Sequence, residues 1–143
     1  MELGTVFPYI LPMTKVAVGI LKRDGALLVC QRKPGSRYAL KWEFPGGKLE
    51  PGETVEHCLR RELAEELSVQ IQGIDEIDVR MSHYEDGGTF EVAYCFVSRF
   101  DGEPRNNVFE QIRWVSPTEL PALDHLEGNK EFVSDLVGSV RSA

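Results

Sequence analysis

Cysteine is scarce in this sequence, and the three present, Cys30, Cys58 and Cys95, lie far apart in apolar surroundings. That excludes a disulfide framework, and the spacing offers no zinc site. They read as small buried hydrophobes in a reducing compartment, so a cytoplasmic location is expected. Basic charge is also in deficit: 16 Lys and Arg face 23 Asp and Glu, for a net charge of −7. Such a chain is a poor partner for a nucleic-acid polymer or an anionic membrane. No apolar run is long enough to cross a bilayer. The stretch Leu3 to Met13 is broken by Pro8 and Pro12 and lacks a basic start, so it is neither a signal peptide nor a span. Repeats, low-complexity tracts and linkers are missing too. The 143 residues suit a single domain over 1–143 with one proper core, in which residues 1–12 form an N-terminal extension and Met13 an alternative start.

What is present is organised around one stretch. Gly46-Gly47-Lys48-Leu49-Glu50-Pro51-Gly52-Glu53 runs directly into Thr54 to Leu67, which no Pro or Gly interrupts. The first part reads as a glycine-rich loop, and Thr54 as the N-cap of a helix. Val55, Leu59, Leu63 and Leu67 recur every fourth residue and form its apolar stripe. At 3.6 residues per turn, Glu62 and Glu66 fall within about 20° of Val55, at the edge of that stripe, and Glu65 lies just beyond them. A sequence selected for stability alone would avoid this cluster. Two partly buried carboxylates about 5.5 Å apart repel by roughly 3 kcal/mol at an effective dielectric near 20. A proton or a bound cation relieves the repulsion, and Mg²⁺ typically takes one or two carboxylates together with substrate phosphates. An exposed acidic face steadied by Arg60 and Arg61 is the plainer alternative.

Along the chain, Lys15 to Leu21 and Ala26 to Gln31 are strands joined by the hairpin signal Asp24-Gly25. A basic loop from Arg32 to Arg37 precedes the short strand Trp42-Glu43-Phe44. After the helix, Val69 to Val79 is extended with a break at Gly73, and Met81 to Glu85 continues it to a turn at Asp86-Gly87-Gly88. Phe90 to Phe100 has the continuous apolar character of a central strand, and Ile112 to Val115 is a short one. Ser116 to Leu120 is a capped turn with Pro117 at its first helical position. Asn129 caps a final helix whose apolar face is Phe132, Val133, Leu136, Val137 and Val140. The order β-β-β-α-β-β-β-α implies an α/β (α+β) fold with helices packed on a mixed sheet.

With these elements in place, the stretch resembles the signature of the Nudix hydrolase family. Gly47, Glu53, Arg61-Glu62, Leu63, Glu65-Glu66 and Val69 all stand at signature positions within residues 47–69, and Ser68 replaces the family's glycine. The departure falls at the helix end, where glycine suits a left-handed cap. Val16 to Ile20, Gln31-Arg32 and Trp42 to Lys48 resemble the MutT-like, nucleoside triphosphate branch. The resemblance implies an α/β/α sandwich and hydrolysis of a nucleoside triphosphate to monophosphate and pyrophosphate, or of ADP-ribose or another nucleoside diphosphate derivative. A non-catalytic regulatory domain is disfavoured by the intact acids. It also implies Mg²⁺, which Mn²⁺ can replace, held by Glu62, Glu65, Glu66 and the Gly46 carbonyl. One of these acids activates water, while Arg61 pairs with Glu53 and its neighbours. The branch's later acid aligns with Val108, leaving Glu110 as the substitute ligand. Substrate contacts fall on Arg32, Gly47 and Lys48, with Asn129 or Asp124 reading the base. Tyr38, Phe90 and Tyr94 are candidate stacking residues. The expected partner is a small nucleotide, and the chain is a monomer or homodimer.

Overall fold

The computed structural model of the protein describes residues 13–84 and 87–142, with side chains through residue 139. The expected extension 1–12, Glu85-Asp86 of the expected turn, and Val140 on the last helical face lie outside these. In chain order the elements are β1 (Thr14–Arg23), β2 (Ala26–Gln31), β3 (Trp42–Glu43), β4 (Gly46–Lys48), α1 (Val55–Leu67), β5 (Gln70–Ile71), β6 (Glu76–His83), β7 (Thr89–Val97), β8 (Phe100–Asp101), β9 (Gln111–Val115) and α2 (Lys130–Ser142).

β1 is the spine of a seven-stranded mixed sheet. One edge pairs in parallel with β7, Thr14 to Leu21 lying against Phe90 to Val97. The other is shared: Val16 to Val18 pair antiparallel with β4, and the far end turns into β2. Asp24 and Gly25 at that turn have φ of 52° and 78°, the left-handed pair that a two-residue hairpin requires. β2 carries β3 and β9, and β6 closes the opposite side against β7.

Alternation along β1 separates two cores. Ala17 and Leu21 face α1, with Leu59, Leu63, Ala93 and Cys95. Ile20, with Val16 and Val18 beside it, faces α2, with Phe44, Tyr94, Phe132 and Val133. Gly19 lets α1 come close: a Cβ there would stand 3.1 Å from Leu63 Cδ1. The result is the expected helix–sheet–helix sandwich.

Three expectations about elements need correction. Gly46 to Lys48 is a strand, not a loop, because its backbone pairs with β1. The extended stretch from Val69 is two strands in different sheets. β5 pairs with β8, and β6 begins after Asp75, whose amide donates to Phe96 O and whose carboxylate accepts from Ser98 N. The strand from Phe90 likewise ends at Val97 before β8.

Candidate active site

α1 begins where expected. Thr54 is extended, and its hydroxyl accepts a hydrogen bond from His57 N across 3.1 Å, satisfying one orphan amide of the first turn. Leu59, Leu63 and Leu67 are fully buried and fix the rotation of the helix. That rotation separates the acids. The Glu62 side chain is 16% exposed and the Glu65 side chain 61%, so the inward edge carries Glu62 and Glu66 while Glu65 looks to solvent.

The helix end explains how serine replaces glycine. Ser68 sits in the left-handed region at φ 58°, and its amide donates to Ala64 O. The loop after β8 finishes the cap. Arg105 N and Asn107 N donate to Leu67 O and Glu66 O, and the Asn107 carboxamide reaches Glu65 O and Ser68 Oγ. Partners from another segment satisfy the last carbonyls, so the turn holds without glycine.

β4 lies beneath the acids. Gly46 has φ 150°, and a Cβ on it would collide with Ala17 O and Val18 Cα. A Cβ on Gly47 would collide with the Glu62 carboxylate. Both glycines are therefore steric conditions, one for the strand pairing and the other for the carboxylate. Gly46 N donates to Glu66 Oε1 at 3.0 Å. Burial is the main cause that pushes the Glu66 pKa up, to about 9. The Gly46 hydrogen bond opposes the rise, and Glu62, as a like-charged and hydrogen-bonded neighbour, adds to it.

Arg61 locks the turn to the helix. Its Nε and Nη2 bond the two Glu53 oxygens at 2.8 and 2.9 Å, and its Nη1 reaches Glu62 Oε1 at 2.8 Å. Glu53 also accepts from Glu50 N. The Arg61 bonds, followed by that amide, hold the Glu53 pKa down to about 2. Glu65 stands 3.8 Å from the same guanidinium.

Glu66, Gly46, Gly47 and Lys48 open into a cavity of about 500 Å³ on the α2 side of the sheet. Asn129 lines it and is buried. It does not cap α2 with its carboxamide oxygen, because that atom accepts the Tyr94 hydroxyl at 2.7 Å. Among the described residues the Asn129 carboxamide nitrogen has no bonded partner and remains available. Asp124 turns away, pairing with Lys41 at 2.9 Å on the surface. Arg32 reaches the cavity but is committed to Glu43 and to Arg37 O. Tyr94 is fully buried and stacked on Phe132 at 3.8 Å, so it belongs to the core. Tyr38 and Phe90 line the cavity and bracket Tyr84: Tyr38 stacks on it at 5.3 Å, and Phe90 meets it edge-on at 5.2 Å. Val108 and Phe109 line the wall, whereas Glu110 is exposed just before β9.

The sequence reading missed Glu43 and Tyr84. Glu43 gave a signal, as the polar member of the alternating Trp42-Glu43-Phe44. It lies beside Glu66 and Arg32, and burial raises its pKa while Arg32 lowers it. Tyr84 gave none, since its place depends on where β6 ends. No three acidic, histidine or cysteine side chains form a ready metal centre among the described residues. The donor set nevertheless suits a hard cation: the Glu62 and Glu66 carboxylates are neighbours, burial and then their like charges raise the Glu66 pKa, and a metal can take the place of the proton there.

The NUDIX domain model matches residues 13–136. The 8-oxo-dGTP diphosphatase of Escherichia coli is 30% identical, over 85% of this chain and 95% of its own. The CTP pyrophosphohydrolase of the same organism is 34% identical, over 75% and 78%. The solution structure of the E. coli ORF135 protein superposes with a TM-score of 0.79 at 28% identity, covering 97% of this chain and 94% of that one. The chain belongs to the Nudix domain family as a MutT-like hydrolase of phosphoanhydride bonds.

Proposed function

We propose that the protein hydrolyses a nucleoside triphosphate to the monophosphate and pyrophosphate, with Mg²⁺ as cofactor and Mn²⁺ able to replace it. One observation carries the reading: Glu66, beside Glu62, lines a cavity that also carries the cationic side chains of Arg32, Lys33 and Lys48, aromatic faces and the Asn129 carboxamide. That layout suits polyphosphate at the acids and a base beside Asn129. The relatives named for 8-oxo-dGTP and CTP support a triphosphate over ADP-ribose.

Glu62, Glu66 and the Gly46 carbonyl, with Glu65 at the rim, would hold the metal. When bound, it neutralises phosphate charge and lowers the pKa of the attacking water. The remaining work falls to the chain. Arg61 fixes the Glu62 rotamer and ties Glu53 and the turn to α1. Glu62 or a neighbouring acid would orient the water and accept its proton; the water oxygen bonds to one phosphorus of the α–β anhydride as that phosphorus's bond to the bridging oxygen breaks, and the bridging oxygen leaves with the other product. Lys48 and Lys33, which line the cavity, would meet the phosphates. Arg32 acts through Glu43 to shape the wall. Asn129, its oxygen held by Tyr94, offers its N–H groups to a base carbonyl or ring nitrogen, and Tyr84 and Phe90 supply apolar faces.

Incubation with Mg²⁺ and a panel of canonical and oxidised triphosphates, ADP-ribose and dinucleoside polyphosphates tests this. A triphosphate should turn over fastest, with pyrophosphate and monophosphate in equal amounts. Faster turnover of ADP-ribose, or release of orthophosphate in place of pyrophosphate, would refute it.

A further inference from the structure

β6 is the end strand of the main sheet, and among the described residues no further strand pairs with its outer side. Its two faces differ. Asp78, Arg80 and Ser82 turn toward α2, where Arg80 bonds Asp135 and Ser82 bonds Gly128 O. Ile77, Val79 and Met81 turn to the α1 side but lie beyond its cover, 44%, 57% and 50% exposed. An uncapped edge beside an apolar stripe is a template for another strand.

The geometry points to a second copy of this chain as the occupant, with β6 pairing antiparallel to its counterpart about a twofold axis at Val79. The order of residues selects both partner and register. Sheet continuation requires like faces to align, so odd residues must oppose odd. Centred on Val79, Ile77 lies opposite the partner's Met81, and Asp78 lies opposite the partner's Arg80. Six apolar side chains then cover one another, and on the other face the Asp78–Arg80 ion pair that each chain already holds at 3.0 Å lies antiparallel to the partner's, opposite charges across the axis. Shifting the centre to Asp78 or to Arg80 would set like charges directly across the axis, which is destabilising. Among centres at residues 78 to 80, only Val79 makes the strand complementary to itself. In that register residues 76–82 overlap, and seven residues at about 3.4 Å each give a ladder roughly 24 Å long; a single strand pair buries little area, so the dimer should dissociate on dilution.

Sedimentation velocity over a concentration series tests the pairing. The wild type should pass from monomer to dimer. Val79→Asp, placing two carboxylates on the axis, should weaken association at least about tenfold with an unchanged melting profile. Val79→Cys should cross-link to a covalent dimer on mild oxidation, since directly opposed Cα atoms of antiparallel strands lie about 4.5–5.5 Å apart, within the span a disulfide bridges. A wild type that stays monomeric at about 1 mM, a Val79→Asp variant that dimerises as well as the wild type, or a Val79→Cys variant that does not cross-link would each overturn the proposal.

Discussion

The Gly46 amide donates to the Glu66 carboxylate across 3.0 Å, joining the turn of one strand to the inward edge of one helix. Without a cation that carboxylate is in the wrong surroundings for a charge, because it is buried and stands beside Glu62. The consequence for pH has a definite sign. The folded pKa, about 9, lies above the ordinary carboxyl value. The contribution of protonated Glu66 to stability is therefore complete below about pH 4.5. It is lost progressively as pH rises through 9. In chelator, thermal stability should fall over that window in the wild type and not in Glu66→Gln. At pH 7 Mg²⁺ binding should release a proton, measurable by calorimetry in buffers of different ionisation enthalpy.

Turnover should respond in the opposite direction to metal-free stability. Glu66→Gln and Glu62→Gln keep the shape and remove the charge that would hold the cation. Each should lower kcat at saturating Mg²⁺ by about 10³-fold, by analogy with loss of one major electrostatic contact. The chelated proteins should melt no lower than the wild type. Steady-state kinetics with a melting curve in EDTA checks both statements.

Gly46 and Gly47 are adjacent but have different requirements. Gly46→Ala forces a side chain into the β1 backbone at a φ that favours glycine, so it should yield little folded protein. Gly47 has no such φ, and the nearest atoms an added methyl would meet are those of the movable Glu62 carboxylate. Gly47→Ala should fold normally by circular dichroism and lose about 10²-fold in kcat, since small misplacements of a reacting group cost about that much.

The arginine clamp has its own pH signature. Arg61 holds the Glu53 pKa down to about 2. Its stabilisation is therefore present above about pH 4.5 and is lost as pH falls toward 2. Arg61→Lys cannot reproduce the two-oxygen grip on Glu53 together with the bond to Glu62. It should lower kcat by about 10²-fold and lose stability already at neutral pH, as activity assays and acid titration would show.

The chemistry was more legible in the sequence than the specificity, for a physical reason. Helical spacing alone placed Glu62 and Glu66 at the inward edge and Glu65 just beyond it, because Leu59, Leu63 and Leu67 leave α1 one way to face the sheet; that Glu65 is mostly exposed appears only in the fold. The strand character of Gly46 to Lys48 was hidden, since glycine carries no side chain to show alternation and the pairing partner is distant. The cavity wall was hidden more deeply. Tyr94 and Asn129 lie in elements far apart in sequence and meet only after α2 packs, as do Asp124 and Lys41. Two aromatic residues with similar sequence contexts, Phe90 and Tyr94, thereby end in the cavity and in the core.

That packing makes Asn129 the place to test base selection. Its oxygen is taken by Tyr94, which leaves its nitrogen to face the cavity with hydrogen-bond donors only. Asn129→Ala should reduce kcat/KM for the preferred triphosphate by about tenfold, the scale of one hydrogen bond, while altering a poor substrate little. Tyr94→Phe removes the hydroxyl that orients the carboxamide and frees it to rotate. Discrimination between bases should then narrow while kcat for the best substrate changes less than about threefold. Asp124→Ala breaks only a surface pair with Lys41 and should leave the ranking of bases unchanged. If Asp124→Ala reorders the substrates and Asn129→Ala does not, base reading belongs to the rim of the loop at Asp124 and not to the buried carboxamide.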